Sequence, residues 1–270
     1  TLTANLFDLD AHVRSPLAWE MSYPVPPATL AARYSDPRIA ESAKKLGQFY
    51  KMNPAVQAMH LMEPLAAQEC IFLTTYDFRG LEFQGLSLCP HYGEWYVNCD
   101  MRSAFSLHKT VLQIWQNEID TRCWALKAPN HMTAIGDLMA TYPDARIVWL
   151  HRDPVSCIPS MSSLFMAFQG LTVRSQDPAV YGNHMNWMYG TGLRRTMAYD
   201  AAASERGDKG WCAHLHYTDL IKDPIGALRG VYRHFGEEIE VEHESRIAAW
   251  LRQRPQNTYG RHQYSMEDFG

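Results

Sequence analysis

Arg152 and Ser160 have the types and the spacing to hold an anion. They sit in "RIVWLHRDPVSCIPS", where an apolar run ends in His-Arg-Asp-Pro and a serine follows the arginine by eight residues. A guanidinium is a planar fork that grips a phosphate or sulfate through two hydrogen bonds. Asp153 suits a helix N-cap and Pro154 a first helical position, so a helix should begin here. Its free N–H groups and positive dipole end would face the same region. Ser160, two turns along, would add a hydroxyl donor. The bland reading is an arginine that pairs with Asp153 or caps a carbonyl. Pro159 removes one helical hydrogen bond and either aims Ser160 or ends the helix early.

Such a site needs a scaffold, and the surrounding segments supply one. "RCWALKAP", "ARIVWLH" and "WCAHLHY" read as short strands, each followed by a helical segment. Strand, helix, strand at this spacing predicts right-handed parallel crossovers. The second strand is apolar throughout, as a strand buried on both faces should be. Ligands of open parallel sheets lie beyond the carboxyl ends of the strands. There, "LKAPNH" carries Lys127 and His131, and "YTDLIKDP" carries Tyr217. The three strand ends are expected to converge on one crevice.

Upstream, a helix is expected over Leu2 to Leu9, then a Pro-rich extended arm, then helices over Ala40 to Met62, "EPLAAQECIFLTT" and Phe105 to Asn117. The aromatic stretch from Phe83 to Tyr96 resists assignment; it could line an apolar pocket or fill a core. The expected fold is a single α/β domain over 1–270 with a central parallel sheet flanked by helices, and a helical insertion at about 24–117.

With 270 residues, 46% of them hydrophobic, the chain can bury a large core unaided. The formal net charge of -4 argues against a nucleic-acid surface. Six cysteines without a CxxC pair read as reduced thiols of a cytoplasmic protein, and no apolar run approaches the roughly 18 residues of a membrane span. His214 and His216 share a strand face but lack a third ligand at a convincing spacing, so core histidines are expected and no metal.

Together these motifs resemble the sulfotransferases that use 3'-phosphoadenosine 5'-phosphosulfate (PAPS). "RSPLAWEM", "PVPP", "LKAPNHM", "YPDARIVWLHRDP" and "GRHQYSMEDFG" are similar to the bacterial branch, and the likeness runs from Thr1 to Gly270. The resemblance implies a three-layer P-loop-like fold, with Arg152 and Ser160 on the donor's 3'-phosphate and Tyr217 near its nucleotide. Arg261 would belong to a late basic segment closing over that phosphate. The family's phosphate loop, near Arg-Thr-Gly-Thr-Thr, is missing from the sequence. Thr1 reads as its last threonine, with the loop and its strand upstream; the alternative is a relative that has lost the loop.

Sulfuryl transfer needs an in-line donor, a base for the acceptor hydroxyl and positive charge on the leaving phosphate. A positioned base contributes about 10²–10⁴ in rate. Glu20, in "RSPLAWEM", matches the place of a catalytic glutamate in several branches; a lone glutamate there could instead pair with Arg14. His131 stands beyond a strand end, like the histidine of the cytosolic enzymes, though the spacing is Lys-x-x-x-His. Glu20 leads, with His131 close behind, and Lys127 would neutralise the phosphosulfate. The expected acceptor is a small-molecule or lipid-like hydroxyl; a homodimer is left open. A small-molecule kinase is the rival reading, but it would need a Gly-Lys-Ser/Thr loop and a strand-end aspartate for magnesium.

Overall fold

The computed structural model describes residues 2–29, 31–117, 123–208, 210–254 and 263–270. Helix α1 (Leu2–Asp8) leads into β1 (Val13–Arg14) and α2 (Ala18–Ser22). Helix α3 (Pro37–Met52) starts at Asp36, whose carboxylate accepts from the Arg38 amide at 2.9 Å. The continuous helix expected from Ala40 to Met62 is broken at Asn53, and α4 (Pro54–Met59) begins afresh. Pro54 is the reason: it lacks an N–H and disfavours the helical backbone of the residue before it.

"EPLAAQECIFLTT" is helical only at its end, α5 (Ile71–Thr75). Its first half is drawn out by tertiary pairing. Pro64 and Ala66 accept from the Trp19 and Ala18 amides at 3.1 Å, and the Gln68 amide donates to Pro16 at 2.9 Å. The unassigned aromatic stretch folds as α6 (Glu82–Leu86) and α7 (Pro90–Asn98), followed by α8 (Arg102–Gln116).

β2 (Cys123–Trp124) runs parallel to β1, with Val13 opposite Cys123. A 3-10 turn (Pro129–Ala134) and α9 (Ile135–Thr141) then lead to β3 (Ile147–His151) and α10 (Pro154–Gln169). The long α11 (Pro178–Glu205) returns the chain to β4 (Cys212–His216). Helices α12 (Tyr217–Lys222), α13 (Pro224–His234) and α14 (Val241–Gln253) complete the order.

β3 and β4 are parallel, from Ile147 opposite Cys212 to His151 opposite His216. Among the described residues β2 and β3 share no ladder, so the strands form two parallel pairs rather than one run of three neighbours. β3 is apolar along its length and packs on two sides, although the expected burial of both faces is incomplete and Leu150 stays exposed. Val148 packs toward Leu6, Leu215, Leu228 and Ile247, while Ile147 and Trp149 pack toward Met185, Met188 and Trp211. Helix α11 lies close to its neighbours because glycines let it: a Cβ on Gly182 would stand 2.1 Å from the Phe269 carbonyl oxygen.

Candidate active site

At the rim of the sheet, Asp153 caps α10 by accepting from the Val155 amide at 3.0 Å, and Pro154 takes the first helical position. Arg152 is left exposed at this helix start. Its guanidinium lies 4.8 Å from the centre of the Tyr217 ring and donates to the Tyr264 hydroxyl at 2.9 Å. Two aromatic groups from different parts of the chain thus orient one cation at the carboxyl end of a parallel strand. Ser160 is half-buried on the same helix, which runs through Pro159 to Gln169 without ending early. Tyr264 was not singled out from sequence, although it lies within "GRHQYSMEDFG". Thr1 and Arg261 lie outside the described residues.

A second cluster gathers beyond β2. Lys127 pairs with the buried Glu69 carboxylate, and its carbonyl accepts from the Cys70 amide at 2.8 Å. Burial pushes the Lys127 ammonium down to about 8. His131 follows on the 3-10 turn, which is held from several sides. Thr133 donates to the Asn130 carbonyl at 2.7 Å, Arg195 to the Thr133 carbonyl at 2.9 Å, and Thr196 to the Met132 carbonyl at 3.1 Å. Nε2 of His131 is sealed from solvent and has no hydrogen-bond partner among the described residues. Burial, then the Lys127 charge, lowers this imidazole to about 4.

Two further histidines border Lys127 and His131. His60, at the end of α4, is lowered to about 4 by burial and then by Lys127. His108 is fully buried, shares a 2.6 Å hydrogen bond with the Tyr142 hydroxyl, and is lowered to about 3 by burial and then by His131. Neither was picked out from sequence, since an isolated histidine in a helical stretch carries no motif.

Glu20 has a different setting. Its carboxylate accepts from Arg14 Nη2 at 2.6 Å and reaches back to the Leu17 amide at 2.9 Å, which is one half of a capping box. Arg33 Nε lies 3.7 Å away, and the glutamate is 2% exposed. Arg14 in turn donates to the Trp115 carbonyl at 3.0 Å and stacks at 4.6 Å on Trp124. The structure therefore gathers Lys127 with His131, and Arg152 with Tyr217, while it ties Glu20 into an ion-paired turn. His214 and His216 are not core histidines as expected: both are exposed on β4, where alternation turns them to the uncovered face, and His214 shares a 2.8 Å hydrogen bond with His151. Among the described residues no group of His, Cys, Asp and Glu side chains could hold a metal. Nor is any described helix long and apolar enough to cross a membrane.

A model of the sulfotransferase family matches residues 1–241. The chain belongs to the sulfotransferase family. Its structure is also similar to that of sulfotransferase STF9 from Mycobacterium avium, with a TM-score of 0.85 and 28% identity over 99% of this chain and 68% of that one. Sulfotransferase STF1 from Mycobacterium tuberculosis H37Rv gives a TM-score of 0.84 and 27% identity over 100% of this chain and 70% of its own. No curated protein matches significantly. The α/β, P-loop-like architecture with parallel strands is thus the sulfotransferase fold.

Proposed function

We propose that this sulfotransferase moves a sulfuryl group from PAPS to a hydroxyl on a small-molecule or lipid-like acceptor. The observation that carries this reading is Arg152, held on the Tyr217 ring at the rim of a parallel sheet beside a helix N-terminus. A guanidinium placed there fits the nucleotide's 3'-phosphate, and Ser160 is the hydroxyl two turns further along. Lys127 is the cation for the phosphosulfate.

His131 is the base we favour, because its Nε2 makes no hydrogen bond among the described residues. Both Glu20 oxygens are engaged, one by Arg14 and the other by the Leu17 amide. An imidazole near 4 is too weak a base at neutral pH, but part of that depression comes from the Lys127 charge. A phosphosulfate resting on Lys127 would cancel its field and bring His131 closer to the working range.

Calorimetric titration with 3'-phosphoadenosine 5'-phosphate (PAP) tests the reading. The wild type should bind, and Arg152→Ala should bind about 10–100-fold more weakly, as expected for losing a charged hydrogen-bonding group. Equal affinities would remove the basis for the proposal.

A further inference from the structure

Resting on the sulfuryl-transfer reading, we propose that His60 is an acceptor-positioning residue for hydroxyls borne on flat apolar rings, which lie against Phe49 and Phe168. The turn that carries His60 is fixed at several points. The His60 amide donates to the Val56 carbonyl at 2.7 Å. The Tyr50 hydroxyl accepts from the Met62 amide at 2.5 Å and lies 3.2 Å from the His60 carbonyl and 3.3 Å from that of Met62. One residue before α4, the buried Asn53 donates to the Ala167 carbonyl of α10. Within this anchored turn, the His60 ring itself makes no hydrogen bond among the described residues. It meets Phe168 edge-on, with ring centres 6.3 Å apart, and Phe168 stacks on Phe49 at 6.0 Å. All three rings are half-buried, so this aromatic cluster is not fully sealed around the imidazole.

The chemistry divides the work between two imidazoles. An acceptor hydroxyl has one proton and two lone pairs. As the new O–S bond forms and the S–O bond to the leaving phosphate breaks, the proton passes to His131. One lone pair attacks sulfur, and the other is free to accept from the N–H that a neutral imidazole always carries. His60 comes from the insertion, whereas Lys127 and His131 come from a strand end, so it meets the acceptor from a separate element. Burial and the Lys127 charge keep it neutral near pH 7.

Two substitutions in the intact protein separate this role from simple packing. His60→Phe keeps the ring against Phe168 and loses the N–H; His60→Asn keeps an N–H and loses most of the ring. With 2-naphthol as acceptor, His60→Phe should raise KM about tenfold while PAP affinity stays within about twofold of wild type. His60→Asn should recover most of that loss. A packing role predicts the reverse order, and an unchanged KM in His60→Phe overturns the proposal, as does 2-naphthol that the wild type neither binds nor sulfates. Naphthol fluorescence reads binding without a donor, so a wild type that fails to bind PAP would sink the sulfuryl-transfer reading while the His60 comparison still reported.

Discussion

Around Glu20, each buried charge is answered by an opposite one: Arg14 at 2.6 Å, Arg33 at 3.7 Å, and Asp8 at 3.7 Å from Arg33. Around Lys127, Glu69 is the carboxylate that answers the ammonium among the described residues, and Nε2 of the neighbouring His131 makes no hydrogen bond there. The clusters lie in one domain and use similar residue types. What separates them is charge balance and not hydrogen bonding, since Arg14 Nε and Arg33 Nε are also buried without a hydrogen-bond partner among the described residues. A set of opposite charges explains itself as structure, whereas neutral imidazoles held beside a desolvated lysine are arranged for something that arrives.

This contrast can be broken in order of effect. His131→Asn should lower kcat by about 10²–10⁴, the contribution of a positioned base, with little change in urea unfolding. Glu20→Gln should do the opposite. Leaving Arg14 and Arg33 short of a buried partner should cost about 3–5 kcal/mol in stability, read as a lower urea midpoint at unchanged slope.

Acid should act on the Lys127 side. His60 and His131 are lowered to about 4 and His108 to about 3 by burial. Between their ordinary value near 6.5 and those folded values, the unfolded chain binds protons that the folded chain refuses. Stability is therefore fully present above about pH 6.5 and falls as pH drops toward the folded values, by at most about 1.4 kcal/mol per pH unit for the fully buried His108. Urea midpoints across that range should show the fall, and His108→Asn should flatten it. The smallest effect is proton uptake on PAP binding, a fraction of a proton near pH 6, read by calorimetry in two buffers of different ionisation enthalpy. Lys127→Met should reduce it.

Much of the scaffold was legible because its signals are local. The apolar run of β3, the Asp153 cap and Pro154 announce a strand, a stop and a helix in consecutive residues. Arg152 and Tyr217 were each placed at a strand end by sequence, but their contact emerged only from the fold. β1 stayed hidden because two residues carry no periodicity. The stretch from Glu63 to Gln68 was read as helix because its composition allows one, but backbone pairing to Pro16, Ala18 and Trp19 outweighed that propensity. Helix α11 drew no reading from sequence. Its buried positions Tyr181, Met185, Met188, Gly192, Thr196 and Ala203 follow helical spacing along one face, but glycine and threonine stand among them, and the exposed Val180, Trp187 and Met197 blur the apolar stripe. At the site, His60 and Glu69 reach Lys127 only through tertiary folding, and the Glu20 motif does not say whether its carboxylate is spent on Arg14 or kept for a substrate.

The most direct test compares single-turnover sulfuryl transfer from PAPS to 2-naphthol by Glu20→Gln and His131→Asn, each corrected for its folded fraction. The rate should collapse in His131→Asn and stay near wild type per folded molecule of Glu20→Gln. A fully folded Glu20→Gln that transfers nothing, beside an active His131→Asn, would put the base in the paired cluster and contradict the division drawn between the two.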